Sequence, residues 1–297
     1  MLGKGRTPRI RISEFLDRYI EDHMKLQMPR SWQVEMSRIK CIRKVFGDRW
    51  LHQVTASDID GFLADLRRGG SSPGSVNRYR SRLSSMMNRA IAWGYIEKNP
   101  VRMIGRLKEE KLPDRYLLPE EFQALLNVCD IELRALVHLA AVTGMRRGEL
   151  LSLSWEDIDL DRGYLVVRAA NSKTSEGRTV PLNGEAKAVF RSIGRCSSDR
   201  VFPFETFPRK RWVDAIRKLG WHQTNNPRLR NWRFHDLRHT CASWLVMADV
   251  PMSKVAKILG HKELKTTQRY AHLADASLAE AVERIQYASD KGERLSR

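Results

Sequence analysis

Five residues between positions 146 and 270 have side chains suited to binding and attacking an anionic group. Arg146 and Arg238 carry guanidinium groups, and each guanidinium can bind two oxygens of one anion at once. His235 and His261 can take up or release protons near neutral pH. Tyr270 carries a hydroxyl that can act as a nucleophile once a base accepts its proton. Taken singly, each residue has a more ordinary structural explanation, so the interpretation depends on their spacing.

Spacing places two pairs of polar residues on shared helix faces. Gly144 is expected to break a helix that restarts at Arg146, and Glu149 follows Arg146 by three residues. Side chains three apart on a helix are neighbours, so the carboxylate can orient the guanidinium. His235 and Arg238 are also three apart and are expected to face the same way.

The last two candidates follow a predicted helix that begins near Pro251. Gly260 is typical of a residue that caps the C-terminal end of such a helix, and His261 comes directly after it. Tyr270 lies nine residues further along the chain. One short segment therefore supplies both an imidazole and a phenol.

Motifs for other chemistries are absent or incomplete. The chain has no Gly-x-x-x-x-Gly-Lys-Ser/Thr loop for a nucleotide phosphate and no Gly-x-Ser-x-Gly elbow. His235 and His239, with Asp236 after the first, imitate a zinc-protease motif, but that motif requires Glu and a third ligand. We therefore expect neither a metal nor a nucleotide cofactor.

The first 104 residues are expected to form four short helices that pack as a small bundle. Apolar residues recur at helical spacing from Ile12 to Met24 and again from about Ser31 to Phe46. Asp58 is expected to cap a third helix that stops at the glycines at 69 and 70. The fourth helix is predicted from near Ser75 to positions 93 and 94.

The fourth helix also carries a cationic stripe. Arg78, Arg82, Ser85 and Arg89 follow one another at steps of four, three and four residues, so they share one face, and the stripe itself contains no acid. A solvated charged face is the ordinary interpretation. Contact with DNA is the alternative, because Arg and Ser are common phosphate contacts. The three arginines are our candidate DNA-binding residues.

The remaining residues predict a second domain that is mainly α with a small antiparallel sheet. A polar linker is expected at 105–117, a helix opens at Pro119, and residues 133–143 are the most apolar helical stretch. Strands are predicted at 155–160, 164–168 and 179–182. We therefore expect domains at 1–104 and 118–285 and a tail at 286–297. Apolar spacing from 275 to 288 predicts a further helix.

The charge balance points to a polyanionic partner. Lys and Arg number 53 against 35 Asp and Glu, which gives a formal net charge of +18. Nucleic acid is the first candidate for so basic a chain, with an ordinary cationic surface as the alternative. The sequence shows no signal peptide, no apolar run near the ~20 residues that span a bilayer, and no Cys-x-x-Cys pair. We expect a cytoplasmic protein with no membrane partner.

Together the candidate residues resemble the active site of a known family. Their order and spacing are similar to those of the tyrosine recombinases, that is, phage integrases and Xer-type resolvases, over nearly the whole chain. The resemblance implies a SAM-like helical core-site-binding domain followed by a tyrosine-recombinase catalytic domain. The matching segments are Thr143-Gly144-x-Arg146-x-x-Glu149, Lys173 in a polar hairpin, His235-x-x-Arg238-His239, Leu259-Gly260-His261 and Thr267-x-x-Tyr270-x-His272.

The resemblance also implies catalytic roles. Arg146 and Arg238 are expected to clamp the scissile phosphate, and Tyr270 to attack it and form a 3′-phosphotyrosine. His235 is expected to accept the phenol proton, and Lys173 to protonate the leaving 5′-oxygen. The implied catalytic set is Arg146, Lys173, His235, Arg238, His261 (a further phosphate ligand) and Tyr270, with Glu149 in support.

The family's partners are carried over as expectations. They are double-stranded DNA at specific recombination sites, a homotetramer in the synaptic complex, and accessory DNA-bending or directionality proteins, all at the nucleoid of a bacterial host. The terminal helix is expected to dock on a neighbouring subunit, although the sequence leaves packing on its own domain open. Because the covalent bond conserves the energy of the broken one, religation needs neither ATP nor metal.

Three alternatives remain open at this point. We favour the integrase of a phage or genomic island, and a Xer-type resolvase of replicon dimers is the nearest alternative. A type IB topoisomerase shares the phosphotyrosine chemistry without synapsis. A non-cleaving DNA-binding regulator would have similar basic helices, but it would not need Arg146, Lys173, Arg238 and Tyr270 all intact.

Overall fold

The chain divides into two compact units, Met1–Lys111 and Leu112–Arg297. A computed structural model describes residues 8–29, 32–109, 115–169, 177–194 and 199–274. Lys173, the predicted helix at 275–288 and the tail at 286–297 lie outside the described residues. The predicted domain boundaries at 104, 117 and 285 stay a prediction.

The regular elements of the first unit are all helices in its described residues. Helix α1 (Ile12–Tyr19) continues through a π-helical segment (Ile20–Met24) into the short α2 (Lys25–Gln27). Helices α3 (Trp32–Phe46), α4 (Ala56–Arg68) and α5 (Pro73–Ala92) follow, with 3₁₀ turns at Leu51–Gln53 and Pro100–Met103. Their apolar faces bury one core, in which Phe15 and Tyr19 are fully buried.

The start of α4 differs from the prediction. Thr55 is the N-cap, and Asp58 is the third helical residue. The Asp58 carboxylate accepts the Thr55 backbone N–H (2.8 Å), and the Asp58 N–H donates to Thr55 Oγ1 (3.2 Å). The two residues form a reciprocal capping box. The sequence analysis was right that Asp58 marks the start of the helix, but it placed Asp58 at the N-cap, where the structure has Thr55.

The second unit is mainly helical in its described part. Its helices are α6 (Pro119–Val128), α7 (Ile131–Thr143), α8 (Arg147–Leu151), α9 (Gly184–Ile193), α10 (Arg209–Lys218), α11 (Asp236–Met247) and α12 (Met252–Leu259). Helix α7 is the central one, as its apolar sequence predicted, because it packs against both α9 and α11. None of the helices within the described ranges is long and apolar enough to cross a membrane.

A small antiparallel sheet lies between α8 and α9. Its strands β1 (Ile158–Asp159), β2 (Tyr164–Val167) and β3 (Arg178–Pro181) pair in that order. The strand predicted at 155–160 is wrong at its start, because Trp155–Asp157 forms a 3₁₀ turn that buries the Trp155 ring in the core. The predicted class, mainly α with a small antiparallel sheet, is confirmed.

Candidate active site

A helix break at Gly144 positions Arg146. Helix α7 ends at Thr143, and Gly144 adopts the left-handed conformation (φ 62°). A Cβ atom at Gly144 would lie 2.4 Å from Leu259 Cδ2 and 3.1 Å from Cys241 Sγ. Glycine is therefore required both by the backbone conformation and by the close approach of α11 and α12. The break leaves Arg146 as the N-cap of α8, as the sequence predicted.

The C-terminal end of α12 binds the guanidinium groups of both predicted arginines. Carbonyls at a helix end have no partner inside the helix and accept hydrogen bonds from elsewhere. Arg238 donates from Nη2 to the Leu259 carbonyl (2.5 Å) and from Nη1 to the Gly144 carbonyl (2.6 Å). Arg146 donates from Nη2 to the Gly260 carbonyl (3.1 Å). The two predicted arginines therefore meet at consecutive carbonyl groups.

A third guanidinium, which the sequence analysis missed, belongs to the same cluster. Arg178 begins β3 and donates to both carboxylate oxygens of Glu149 (2.9 and 2.7 Å). Glu149 also accepts from Nη1 of Arg146 (2.8 Å) and from its backbone N–H (2.9 Å). The buried carboxylate thus holds two arginines where one was predicted. Strand alternation was the available signal, since Arg178 shares a face of β3 with the buried Val180.

Hydrogen bonds keep the buried carboxylate ionised. Burial alone would raise the pKa of Glu149, but the hydrogen bonds from Arg178 and from the Arg146 backbone lower it to about 2. Glu149 is therefore charged at neutral pH and neutralises one of the guanidinium groups around it.

The cluster keeps an excess of positive charge. Among the residues that the structure describes, Arg146, Arg178 and Arg238 face one carboxylate, that of Glu149. Burial, and then the charges of Arg146 and Arg178, lower the pKa of Arg238 to about 10. Burial and the charge of Arg238 lower the pKa of His261 to about 4. Such a concentration of donors and positive potential is suited to an oxyanion such as a phosphate.

Thr267 orients the ring of His261. The preceding Gly260 is left-handed (φ 67°) and caps α12, as predicted, which turns the chain towards the arginine cluster. Nδ1 of His261 lies 2.8 Å from Oγ1 of the buried Thr267. Because Nδ1 is engaged, Nε2 is the nitrogen that can meet a ligand.

Tyr270 is buried and contacts an imidazole. It lies in the 3₁₀ segment Gln268–Leu273 with 6% of its surface exposed. Its hydroxyl oxygen lies 2.5 Å from Nδ1 of His239 on α11. Burial raises the pKa of Tyr270 to about 12, against the opposing effect of nearby arginines. Burial, and then His235, lower the pKa of His239 to about 4, so a neutral imidazole faces a protonated phenol.

His235, the predicted proton acceptor, lies one turn before His239. It is the N-cap of α11, and the two ring centroids are 5.4 Å apart. His235 is an exposed residue, yet the partial burial of its ring and then the charge of Arg238 lower its pKa. The sequence motif therefore identified the right helix, but the hydrogen bond to the phenol is made by His239. The role of His235 stays a prediction.

Lys173 lies outside the described residues, and its role also stays a prediction. The nearest described positions that flank it are Ala169, just after β2, and Gly177, just before β3. Arg178 follows Gly177 directly and belongs to the arginine cluster through its hydrogen bonds to Glu149.

In the described ranges, no group of three or more His, Cys, Asp or Glu side chains is arranged to hold a metal ion. His239, the second histidine of the zinc-like motif, directs Nδ1 to the Tyr270 hydroxyl.

The three candidate DNA-binding arginines lie on α5 of the first unit in different environments. Arg78 is exposed, and the Arg89 guanidinium lies 5.8 Å from the centre of the Trp93 ring. Arg82 is only 13% exposed and pairs with Glu35 of α3 at 3.0 Å. One arginine of the stripe therefore does have an acidic partner. The partner lies on another helix, so the spacing of residues within α5 could not reveal it. Contact of all three with DNA stays a prediction.

Comparison with known families identifies the second unit. The sequence profile of the phage integrase family matches residues 115–277, more than half of the chain. The matched residues contain the arginine cluster, the contact of His261 with Thr267 and the contact of His239 with Tyr270. The chain belongs to the phage integrase family. The predicted resemblance is therefore confirmed.

The relatives of this phage integrase family member include phage and bacterial recombinases. The integrase of Salmonella phage P22 is 31% identical over 203 residues, which cover 65% of this chain and 52% of that protein. Tyrosine recombinase XerD of Haemophilus influenzae is 30% identical over 305 residues, covering 92% of this chain and 97% of that protein. The chain thus spans about half the length of the P22 integrase and nearly all of XerD. It is a tyrosine recombinase.

Solved structures support the same fold for the tyrosine recombinase. A lambda integrase dimer bound to a COC′ core site matches with a TM-score of 0.72 and 24% identity, over 89% of this chain and 78% of that chain. A lambda integrase tetramer bound to a Holliday junction matches with a TM-score of 0.67 and 25% identity, over 86% and 78%. The predicted fold class is confirmed.

Proposed function

We propose that this tyrosine recombinase integrates or excises a phage or another mobile element. It cleaves double-stranded DNA at specific sites and rejoins the strands through a 3′-phosphotyrosine at Tyr270. The observation that supports this most strongly is the meeting of Arg146 and Arg238 at the end of α12, directly before His261. These donors belong to the same unit as a tyrosine hydroxyl that is already hydrogen-bonded to an imidazole.

The arginines stabilise the charge that develops on the phosphate. Attack on phosphorus increases the negative charge of the non-bridging oxygens, and preorganised donors stabilise that charge most effectively. Each terminal guanidinium nitrogen has two N–H groups. Nη2 of Arg238 uses one N–H for the Leu259 carbonyl, and Nη2 of Arg146 uses one for the Gly260 carbonyl, so the second N–H of each Nη2 can point at the phosphate. His261 adds a donor through Nε2.

The phenol and its imidazole begin the reaction. The Tyr270 hydroxyl gives its proton to Nδ1 of His239, and its oxygen forms a bond to phosphorus. The bond from phosphorus to the 5′-oxygen breaks, and Lys173 protonates that oxygen to give a free 5′-hydroxyl. We assign the first proton transfer to His239 rather than to His235, because His239 makes the hydrogen bond to the phenol.

The assignment of His239 predicts a specific pattern of rescue. His239→Ala is expected to slow cleavage by about 100- to 10,000-fold, and His235→Ala to have a smaller effect on the proton transfer. A substrate with sulfur in place of the bridging 5′-oxygen has a leaving group that needs no proton. This substrate should restore cleavage by Lys173→Ala but not by His239→Ala. Equal rescue of both variants would contradict a role for His239 at the attacking oxygen.

Strand cleavage is also expected to be independent of metal ions and nucleotides. The charge on the phosphate is met by Arg146, Arg238 and His261, and the covalent bond conserves the energy needed for religation. Covalent complexes on a cleavable DNA site should therefore form equally well in excess EDTA and without ATP. Loss of cleavage in EDTA that zinc or magnesium restores would contradict the proposed chemistry.

DNA affinity is expected to fall steeply with salt, and the arginines of α5 should contribute unequally. Each phosphate contact adds about one unit to the slope of log affinity against log salt. Removing Arg78 and Arg89 together should flatten the slope. Arg82→Ala should change it less, because Arg82 is paired with Glu35, and should instead destabilise the first unit. An unchanged slope in the Arg78/Arg89 double variant would mean that this face meets only water.

We further propose that four copies act together on two DNA sites. A lambda integrase tetramer bound to a Holliday junction has the same fold, which supports this assembly. The predicted helix at 275–288 would then link neighbouring subunits. Removal of the residues from Ala274 onward should therefore reduce cooperative filling of paired sites and leave single-site binding nearly intact. We also propose that accessory DNA-bending or directionality proteins are partners. The same proposal places the protein at the nucleoid of a bacterial host.

A Xer-type resolvase of replicon dimers is the second candidate. The match to XerD, which spans 97% of that protein, favours it. The DNA junctions formed in cells distinguish the two functions. An integrase joins two different attachment sites, whereas a resolvase recombines two copies of the same site within a replicon dimer.

A further inference from the structure

A strip of mostly short side chains runs along the outer face of α5. Arg78, Ser81, Ser85, Asn88 and Ala92 follow at steps of three and four residues and share this face. Ser81, Asn88 and Ala92 are exposed. Beyond Arg78 the strip has no long side chain, so the helix can approach base edges closely, as recognition in the major groove requires.

Arginines border the strip and suit it to DNA. Arg80, Arg89 and Arg106 line the groove beside Ser81 and Asn88, and no carboxylate lines it in the part of the chain that the structure describes. Long cationic side chains beside short ones suit a helix in a DNA groove, because the arginines can reach phosphates while the helix face meets the bases.

A buried asparagine fixes the orientation of the Asn88 side chain. Asn99 is 5% exposed, and its Oδ1 accepts the backbone N–H of Val101 (3.0 Å). Its Nδ2 therefore faces the other way, where it donates to the Ser84 backbone carbonyl (3.0 Å) and to Asn88 Oδ1 (2.8 Å). A backbone N–H only donates and a backbone carbonyl only accepts, so turning either amide over would break these bonds.

The consequence is that Asn88 presents donors to the surface. Its carbonyl oxygen is held by Asn99, and its Nδ2, with two N–H groups, is the end left for a ligand at an exposed position. An asparagine that reads adenine uses both ends of the amide, one to donate to N7 and the other to accept from the 6-amino group. The orientation of Asn88 disfavours that pairing.

We propose that Asn88 reads a guanine in the recombination site through its side-chain N–H groups. Guanine offers two adjacent acceptors, O6 and N7, in the major groove, whereas cytosine offers an amino donor there. This proposal rests on the proposed function, because it requires that the first unit binds a specific DNA site. Beyond the proposed function, it identifies the residue that reads a base and the base that this residue selects.

The test compares the DNA sequences that variants of the full chain enrich from a random duplex library. Asn88→Ala should lose the preference for guanine at one base pair, by roughly tenfold in affinity. Asn88→Asp is nearly isosteric and can still accept from Asn99, but it presents an acceptor outwards. At the same base pair it should therefore favour cytosine, whose amino group donates.

Two controls separate base reading from general binding. Arg78→Ala should weaken binding to every sequence without changing the enriched motif. Replacing the selected guanine by 7-deazaguanine removes N7, and this should weaken binding by the unmodified chain but not by Asn88→Ala.

The outcomes distinguish this proposal from the proposed function. If the chain cleaves its enriched site but both Asn88 variants enrich the same motif, or if the sensitive base is adenine, only the assignment of Asn88 is overturned. If the unmodified chain enriches no sequence at all, site-specific binding fails, and the assignment of Asn88 fails with it.

Discussion

Tyr270→Phe is expected to abolish covalent attachment to DNA while leaving non-covalent binding intact. The substitution removes only the phenol oxygen, and the ring keeps its contacts in the small apolar cluster that includes Cys241, Val255 and Leu259. Because the proposed nucleophile is the oxygen that is removed, the covalent product should fall below detection. The measurement uses a DNA substrate nicked beside the cleavage site, on which the cleaved strand cannot be rejoined, followed by a denaturing gel.

A matched control uses a tyrosine elsewhere in the same unit. Tyr164→Phe, in β2, removes the same atom from a residue to which the mechanism gives no role, and it should form the covalent complex as the unmodified chain does. A shifted, protease-sensitive band from Tyr270→Phe would contradict the assignment of the nucleophile. Loss of DNA binding by Tyr270→Phe would show that the phenol oxygen also supports the fold.

The second large effect is expected at Glu149. Glu149→Gln removes the charge that holds Arg146 and Arg178, and leaves their guanidiniums repelling each other in a buried site. One pKa unit corresponds to 1.36 kcal/mol. The fall in the Glu149 pKa from 4.5 to about 2 therefore stabilises the fold by about 3 kcal/mol at neutral pH. Glu149→Gln should lose about this much, and catalysis should fall because Arg146 is no longer oriented.

The contribution of Glu149 to stability is expected to fall as the pH falls. The pKa of Glu149 is lower in the folded chain than in the unfolded chain, so its contribution is complete above pH 4.5 and is lost as the pH falls towards about 2. Denaturant unfolding at several pH values should show that Glu149→Gln lacks this part of the acid destabilisation. Glu205→Gln, at an exposed carboxylate of the same unit, is the control and should behave as the unmodified chain does. Equal acid sensitivity in all three proteins would contradict the role of Glu149.

The elements whose signals are local were predictable from the sequence. Helical periodicity gave α5 and α7 to within a few residues, because their apolar faces pack on a core throughout. Glycines gave the ends of α7 and α12, because only glycine adopts the left-handed conformation without strain. The pairing of Arg146 with Glu149 was also local, since it spans a single turn.

Contacts between distant segments were not predictable in the same way. His239 and Tyr270 are 31 positions apart, and no periodicity relates them, so the motif pointed to the neighbouring His235 instead. Arg178 pairs with Glu149 across 29 positions, and Arg82 pairs with Glu35 across 47. Each contact depends on how two elements pack, which the sequence of either element alone does not contain.

The most direct test of the central claim is to identify the residue that becomes attached to DNA. The covalent complex trapped on the nicked substrate is digested with protease and nuclease, and the modified peptide is sequenced by mass spectrometry. We expect a nucleotide 3′-phosphate on Tyr270 and a free 5′-hydroxyl on the released strand. Attachment to any other residue, attachment through a 5′-phosphate, or cleavage without an attached nucleotide would contradict the proposed chemistry.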